Sequence, residues 1–376
     1  MNSQKLDDFL DNAGYPAVDL VVWQNHEQVY RHLCGFKDAE KTIPLTKDCL
    51  YKLFSASKVI TNAAVLQLIE SGKLGLDDEV SRYLPAFADM KVKDGDEIRP
   101  AKNAITIRLL QCMSAGMNYD FTPAMIELFK RPGGGASTKE LVDAIAESPL
   151  DYEPGTHFKY SLAHDVLGAV IEVVTGERFG EYLKNHIYDP LGMTDTAFRL
   201  MPEQKARLTQ HYNTKIEDGQ EIFEPIPADH PIIDSATNME SGGGGIFSTC
   251  DDYILFADAL CHEGLAKNGF RLLKPETVRL MRQNQLDKAR LEDFARLKKR
   301  GYGYGLGVRT MMNPEESGAK SPVGEFGWDG AAGAYTFMDP VNHLACFLGM
   351  QVMNNNRVYR EVHPRMRDLI YETLGL

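Results

Sequence analysis

Apolar positions change their period several times along the 376 residues, and the changes mark the elements. Residues 2–12 alternate like a short amphipathic helix. VDLVVWQ (18–24) and QVYRHLCG (28–35) are compact strand-like runs, and Asn25-His26 between them makes a hairpin. SASKVITNAAVLQLIESGK places apolar side chains at 59, 60, 63, 66 and 69–70, a helical spacing that Gly72 ends. From about 86 to 240 helical patterns dominate: ITIRLLQCM, KELVDAIAES, SLAHDVLGAVIEVVTG and FGEYLKNHIY, divided by RPGGGAS and YEPGT. After SGGGGIFST the pattern changes sharply. DDYILFADALCHEG reads as a helix. GAYTFMDP and HLACFLGMQVM read as strands joined at Asp339-Pro340-Val341-Asn342, and REVHPRMRDLIYETLGL as a closing helix. Strands thus lie at both chain ends and helices between them. The economical arrangement is an α/β (α+β) fold, with one antiparallel sheet built from both ends, flanked by helices, and an inserted mostly helical lobe. The length exceeds one ordinary compact core, and the expected division is a discontinuous sheet domain, 1–78 with 240–376, and a helical domain, 79–239.

Composition narrows the function classes. Apolar residues make up 43% and charged residues 25%, as in soluble globular proteins. A net charge of −12 repels phosphate backbones, so nucleic acid is not an expected partner. No run of 18 uncharged apolar residues suggests a membrane span. Asp7, Asp8 and Asp11 interrupt the stretch where a signal peptide would be apolar, so the expected location is cytoplasmic. The six cysteines, at 34, 49, 112, 250, 261 and 346, form no C-x-x-C pair and read as buried free thiols. His26-Glu27 and His262-Glu263 each begin like a zinc-protease motif but lack the second histidine. Neither a metal site nor a cofactor is expected.

Ser-x-x-Lys is the first pattern able to carry chemistry. At helical spacing a lysine amine three residues on can reach the serine oxygen, and a desolvated lysine can take its proton. Roughly one or two chance copies are expected in a chain this long, and two occur: Ser55-Ala56-Ser57-Lys58 and Ser317-Gly318-Ala319-Lys320. The second sits in NPEESGAKSP, a polar turn-rich stretch whose lysine reads as a solvated loop charge. The first follows LYKLF and opens an apolar helix, where free backbone amides favour developing negative charge. The bland alternative for Ser55 is a plain helix N-cap.

The surroundings go further. LYKLFSASKVITNAAVLQLIESGKLGLDDEVSRYLPAF resembles the nucleophile region of serine β-lactamases and penicillin-binding proteins, closest to the class C-like branch with carboxylesterases and D-aminopeptidases. The resemblance continues in order through LLQCMSAGM, EPGTHFKYSLAHDVLG, SGGGGIFSTCDDYILFADAL, YGYGLGV and GWDGAAGAYTFMDP, and so spans nearly the whole chain. It implies a β-lactamase-like fold, with Ser55 as nucleophile and Lys58 and Tyr160 moving protons. Tyr160-Ser161-Leu162 keeps the family's tyrosine and departs at the third position, where an amide would read a substrate's acylamino group. Trp328-Asp329-Gly330 stands where Lys/His-Thr/Ser-Gly is usual, so a tryptophan replaces the cation that reads a substrate carboxylate. That departure resembles the family VIII esterases. The backbone amides of Ser55 and Ala331 would form the oxyanion hole. Trp328, Asp329, Gly330 and Leu162 would contact substrate. Tyr119 is a candidate pocket residue, with plain packing as its alternative. Lys58 is then the one nearby cation available to tune Tyr160.

His164 sits four residues from Tyr160 inside an apolar helical pattern, and a lysine base leaves it no role as partner of Ser55. There is no G-x-S-x-G elbow and no G-x-x-x-x-G-K phosphate loop. The Gly242–Gly245 run reads instead as a place for tight turns and close packing beside the sheet. The expected function is a serine hydrolase that forms an acyl-enzyme from a small ester. The alternatives are a β-lactamase, D-amino-acid peptidase, amidase or acyltransferase on the same site, or a non-catalytic ligand-binding member of the fold. The expected partner is a small-molecule ester or amide. The oligomeric state is not legible.

Overall fold

The structure is a computed structural model and describes residues 2–233 and 237–376. β1 (Ala17–Gln24) and β2 (Glu27–Gly35) pair antiparallel across Asn25-His26, whose φ angles are 52° and 66°. Two left-handed residues in a two-residue loop match the twist of the flanking strands. β3 (Leu50–Lys52) runs into a 3₁₀ turn, Phe54–Ala56, and then the Ser57–Glu70 helix. β4 (Lys91–Asp94) pairs with β5 (Glu97–Pro100), and β6 (His211–Glu217) with β7 (Gln220–Ile226). β8 (Phe247–Thr249) pairs antiparallel with β3. The C-terminal strands are β9 (Tyr302–Tyr304), β10 (Arg309–Met311), β11 (Phe326–Asp329), β12 (Tyr335–Asp339), β13 (Leu344–Gly349) and β14 (Val352–Met353).

Seven strands from the two chain ends form one antiparallel sheet in the order β2-β1-β13-β12-β11-β10-β9. Alternation along a strand sends successive side chains to opposite faces. On β1, Val18, Leu20 and Val22 pack with Leu6, Leu10, Met366 and Leu369 of the two terminal helices, Gln4–Asp11 and His363–Leu374. Ala17 and Val21 face the other way, into a core shared with Tyr253 and Phe256 of the Cys250–Cys261 helix. β13 divides likewise, Cys346 and Leu348 to one core and Ala345 and Phe347 to the other. Central strands buried on both faces explain why the sequence there is continuously apolar. The fold is the expected mixed α/β one, with an antiparallel sheet and flanking helices.

Between about 86 and 240 the structure departs from the helical reading. The Ala163–Thr175 and Thr138–Ala146 helices are present, but so are the hairpins β4–β5 and β6–β7. β14 adds to β6 in parallel, giving a small second sheet, β14-β6-β7. Each hairpin turns on a glycine with positive φ, Gly95 at 63° and Gly219 at 78°, and each is preceded by aspartate. Asp-Gly between short alternating runs is a hairpin signal; here the polarity of both faces hid it.

Candidate active site

The local backbone presents Ser55 rather than hiding it. Phe54 takes φ 47°, a left-handed conformation unusual for an aromatic residue. The chain therefore turns sharply at the end of β3, and Ser55 lies in the 3₁₀ turn that enters the Ser57–Glu70 helix. The N-cap of that helix is Ala56, without a side-chain cap. The Ser55 hydroxyl is therefore not spent on capping. It accepts a hydrogen bond from Lys58 Nζ at 3.0 Å. Lys58 is fully buried and also donates to the Tyr119 hydroxyl at 2.9 Å and to the Gly243 carbonyl at 2.6 Å. Burial lowers its pKa to about 7, against the opposing charge of Asp165. A lysine near 7 is substantially neutral at physiological pH and holds the lone pair a base requires.

Tyr160 stands just before the Ala163–Thr175 helix. Its ring lies 4.8 Å from Lys58 Nζ and stacks between Tyr119 and Trp328, at centroid distances of 5.7 and 5.5 Å. Trp328 Nε1 donates to the Tyr160 hydroxyl at 2.9 Å. Burial raises the phenol pKa, although hydrogen bonds with Ser55 and Trp328 oppose the rise. Tyr160 is thus a neutral hydroxyl suited to relaying a proton, not a standing phenolate. Trp328, expected at the substrate, has its indole N–H engaged with Tyr160.

Gly330 follows β11 and lies against the turn that carries Ser55. A Cβ there would lie 2.2 Å from the Leu53 carbonyl oxygen, so this approach requires glycine. The next residue is Ala331, and neither its N–H nor that of Ser55 donates a hydrogen bond among the described residues. Ser55, Tyr160, Trp328, Asp329, Gly330 and Ala331 line one cleft of about 450 Å³. A groove of about 620 Å³ beside Arg279 and Met312 contains none of them.

Other sequence-predicted positions fall differently. Leu162 is buried among Met117, Met125 and Ile145 and does not line the cleft. An aliphatic side chain at a helix start turns into the core. Tyr119 sits on Lys58, closer to the chemistry than a pocket wall. Lys58 is not the one cation nearby: Lys299 Nζ lies 5.4 Å from the Trp328 ring centroid and 2.7 Å from Asp329 Oδ2. The glycine run packs against helices rather than the sheet. A Cβ on Gly242 would meet the His164 carbonyl oxygen at 2.3 Å, and one on Gly243 the Asp165 carboxylate at 2.6 Å. None of glycines 242–245 has positive φ, so close approach is what they provide. Lys320 is exposed and Ser317 ends the short Pro314–Ser317 helix, outside the cleft.

Two participants were not singled out from sequence. Asp165 is buried, accepts from Ser241 Oγ at 2.5 Å and Gly243 N at 3.3 Å, and holds the Lys58 pKa up. A charge inside SLAHDVLGAVIEVV was the available signal. Asn62 donates to the Lys58 carbonyl at 2.7 Å and contacts His164 Nε2 at 2.6 Å. Burial pushes the His164 pKa well below its usual range, so this imidazole is neutral and engaged with Asn62. Metal-capable groupings lie elsewhere: His26, Asp258 and His262 in one cluster, Asp11, His32 and Cys34 in another. His26 and His262, unrelated in sequence, stack at 3.6 Å around Asp258. No residue of either cluster lines the cleft.

Known proteins share both sequence and architecture. Protein Rv1367c of Mycobacterium tuberculosis is 30% identical over 334 residues, covering 85% of this chain and 82% of that protein. Esterase EstB of Burkholderia gladioli is 28% identical over 350 residues, covering 87% and 84%. The solved structure of EstCE1, a hydrolase with promiscuous acyltransferase activity, superposes with a TM-score of 0.81 at 25% identity, covering 98% and 97%. The beta-lactamase family profile matches residues 2–370, and with a Ser-x-x-Lys serine bonded to its buried lysine in this fold, the chain belongs to the beta-lactamase family of serine hydrolases.

Proposed function

We propose that this protein is an esterase that hydrolyses small esters through an acyl-enzyme on Ser55. The observation that carries the reading is the 3.0 Å contact between Ser55 Oγ and a fully buried lysine whose pKa is lowered to about 7. The Ser55 oxygen attacks the ester carbonyl carbon, and its proton passes to the neutral Lys58 amine. The developing oxyanion is met by the N–H groups of Ser55 and Ala331. Tyr160 gives its hydroxyl proton to the departing alkoxide and is reprotonated from Lys58. Water then adds to the acyl-enzyme, the same groups return the proton to Ser55, and the carboxylic acid leaves.

Two features support an ester over a β-lactam or D-amino-acid peptide. The indole N–H of Trp328 is engaged by Tyr160, and Lys299, the cation over that indole, is paired with Asp329. Neither Trp328 nor Lys299 therefore offers a free donor to a carboxylate held against that indole. The name of esterase EstB agrees with this reading, and EstCE1, a hydrolase with promiscuous acyltransferase activity, agrees with acyl transfer through the same fold. The test is mass spectrometry after a fluorophosphonate probe, together with kcat/KM on p-nitrophenyl butyrate and nitrocefin. The expected result is a labelled Ser55 peptide and a higher value for the ester. Label on another serine, or nitrocefin as the better substrate, would replace the reading with a different nucleophile or with the β-lactamase alternative.

A further inference from the structure

The chain carries 53 acidic and 41 basic residues, yet the wall of the catalytic cleft is basic. Arg296, Lys298, Lys299 and Arg360 line it against the single carboxylate of Asp329. Lys298, Lys299, Asp329, Tyr359 and Arg360 also line a second cavity of about 230 Å³, so the two cavities share a wall. This side cavity adds Arg300, Arg309 and Arg367. Some of the charge is answered within the protein: Lys299 by Asp329 at 2.7 Å, Arg309 by Glu325 at 3.0 Å, Arg367 by Asp368 at 3.0 Å. Lys298, Arg300 and Arg360 have no carboxylate partner among the described residues.

Arg309 adds an independent observation. Its side chain is buried, and Nη2 reaches Glu325 at 3.0 Å and the Tyr335 hydroxyl at 2.9 Å. Nη1 has no acceptor. A buried guanidinium with a vacant N–H calls for a water or an anion. Guanidinium forks and ammonium groups are the donors that suit carboxylate and phosphate oxygens. Walls of one sign also focus the field in a cleft and raise the local concentration of counter-charged substrate.

From this geometry we infer that the side cavity is a subsite for an oxyanionic group, carboxylate or phosphate, carried by the ester that Ser55 attacks. The substrate is then an anionic ester whose charge lies some atoms away from the scissile carbonyl, beyond Trp328. The inference rests on the esterase reading of Ser55 and supplies its substrate class. It also gives a use to the basic run RLKKR at 296–300.

The test compares kcat/KM for four esters at low ionic strength: p-nitrophenyl butyrate, mono-p-nitrophenyl adipate, its phosphonate-terminated counterpart, and 4-carboxyphenyl butyrate. They place no charge, a carboxylate or phosphonate on the acyl end, and a carboxylate on the leaving group. The expected result is that at least one anionic ester exceeds the neutral one by about tenfold or more, the scale of one charge-assisted contact, mainly through KM. Added salt erodes the preference. The double variant Lys298→Glu/Arg360→Glu lowers the anionic-to-neutral ratio by about tenfold or more, and Lys298→Arg/Arg360→Lys retains it. A ratio near one that charge reversal leaves unmoved, with Ser55-dependent hydrolysis intact, overturns the subsite and spares the esterase. If no ester is turned over, the esterase reading fails, and calorimetry of adipate against the Ser55→Ala protein decides the subsite: binding lost on charge reversal upholds it, and no heat overturns it.

Discussion

The pH dependence of the reaction should follow Lys58, and Asp165 is the residue that can move it. With Lys58 as the proposed base, active when neutral, kcat/KM rises as pH increases through the lysine pKa, about 7. One unit below that value about a tenth of the lysines are neutral; one unit above, about nine tenths. Burial lowers this pKa and the Asp165 charge raises it. Asp165→Asn removes the raising effect while keeping an oxygen that can accept from Ser241 and the Gly243 N–H. The lysine pKa must then fall, and the acidic limb must move to lower pH. A carboxylate acting through protein on a cation shifts its pKa by on the order of one unit. At pH near 6 the neutral fraction then rises from about a tenth to about a half, a gain of about fivefold, while at pH near 8 the change is slight. The assay is the kcat/KM profile on p-nitrophenyl butyrate for both proteins, since kcat/KM reports the free enzyme. His164 cannot supply this limb, because burial holds its pKa far below neutrality. An unmoved limb, or one displaced to higher pH, would refute the assignment of Lys58 as base with Asp165 as its modulating charge.

Three further outcomes are expected. Ser55→Ala abolishes hydrolysis of p-nitrophenyl butyrate, whereas Ser317→Ala, which borders the side cavity and not the cleft of Ser55, leaves the rate on this uncharged ester nearly unchanged. Lys58→Arg puts a cation that does not deprotonate in place of the lysine, so kcat falls by about a hundredfold or more, the scale of losing a positioned base. Circular dichroism then establishes that the variant is folded, and near-normal turnover in it would exclude Lys58. Trp328→Phe keeps a ring beside Tyr160 but removes the 2.9 Å donor. The kcat should fall by about tenfold with KM little altered, the scale of one lost hydrogen bond to a charge-handling group; a change in KM alone would make Trp328 a substrate contact instead.

Much of this was readable before any coordinate. The hairpin at 18–35, the helix after Ser55, the strands around Asp339 and the terminal helices all announce themselves, because each buries one face or both and its apolar period reports that directly. The β4–β5 and β6–β7 hairpins did not, since their strands are largely exposed and polar and carry little period. Their Asp-Gly turns were the legible trace. Leu162 illustrates the opposite error: a position inferred to face substrate turns into the core, because the path of the chain into the Ala163–Thr175 helix sets the direction of its side chain.

Local order in the chain determined the Ser55–Lys58 pairing, since three residues at helical spacing bring the two side chains to one face whatever surrounds them. It also determined the glycine at 330, without which β11 could not approach the Leu53 carbonyl. The chemistry of that pair was decided by tertiary structure alone. The Lys58 pKa near 7 is set by burial and by Asp165, 107 positions further on; Tyr160 is held by Trp328, 168 positions away. The basic wall gathers residues from 296–300 and 360 around a cleft that also holds Ser55. Desolvation and Coulomb interactions depend on distance in space, which the order of residues along a chain does not specify.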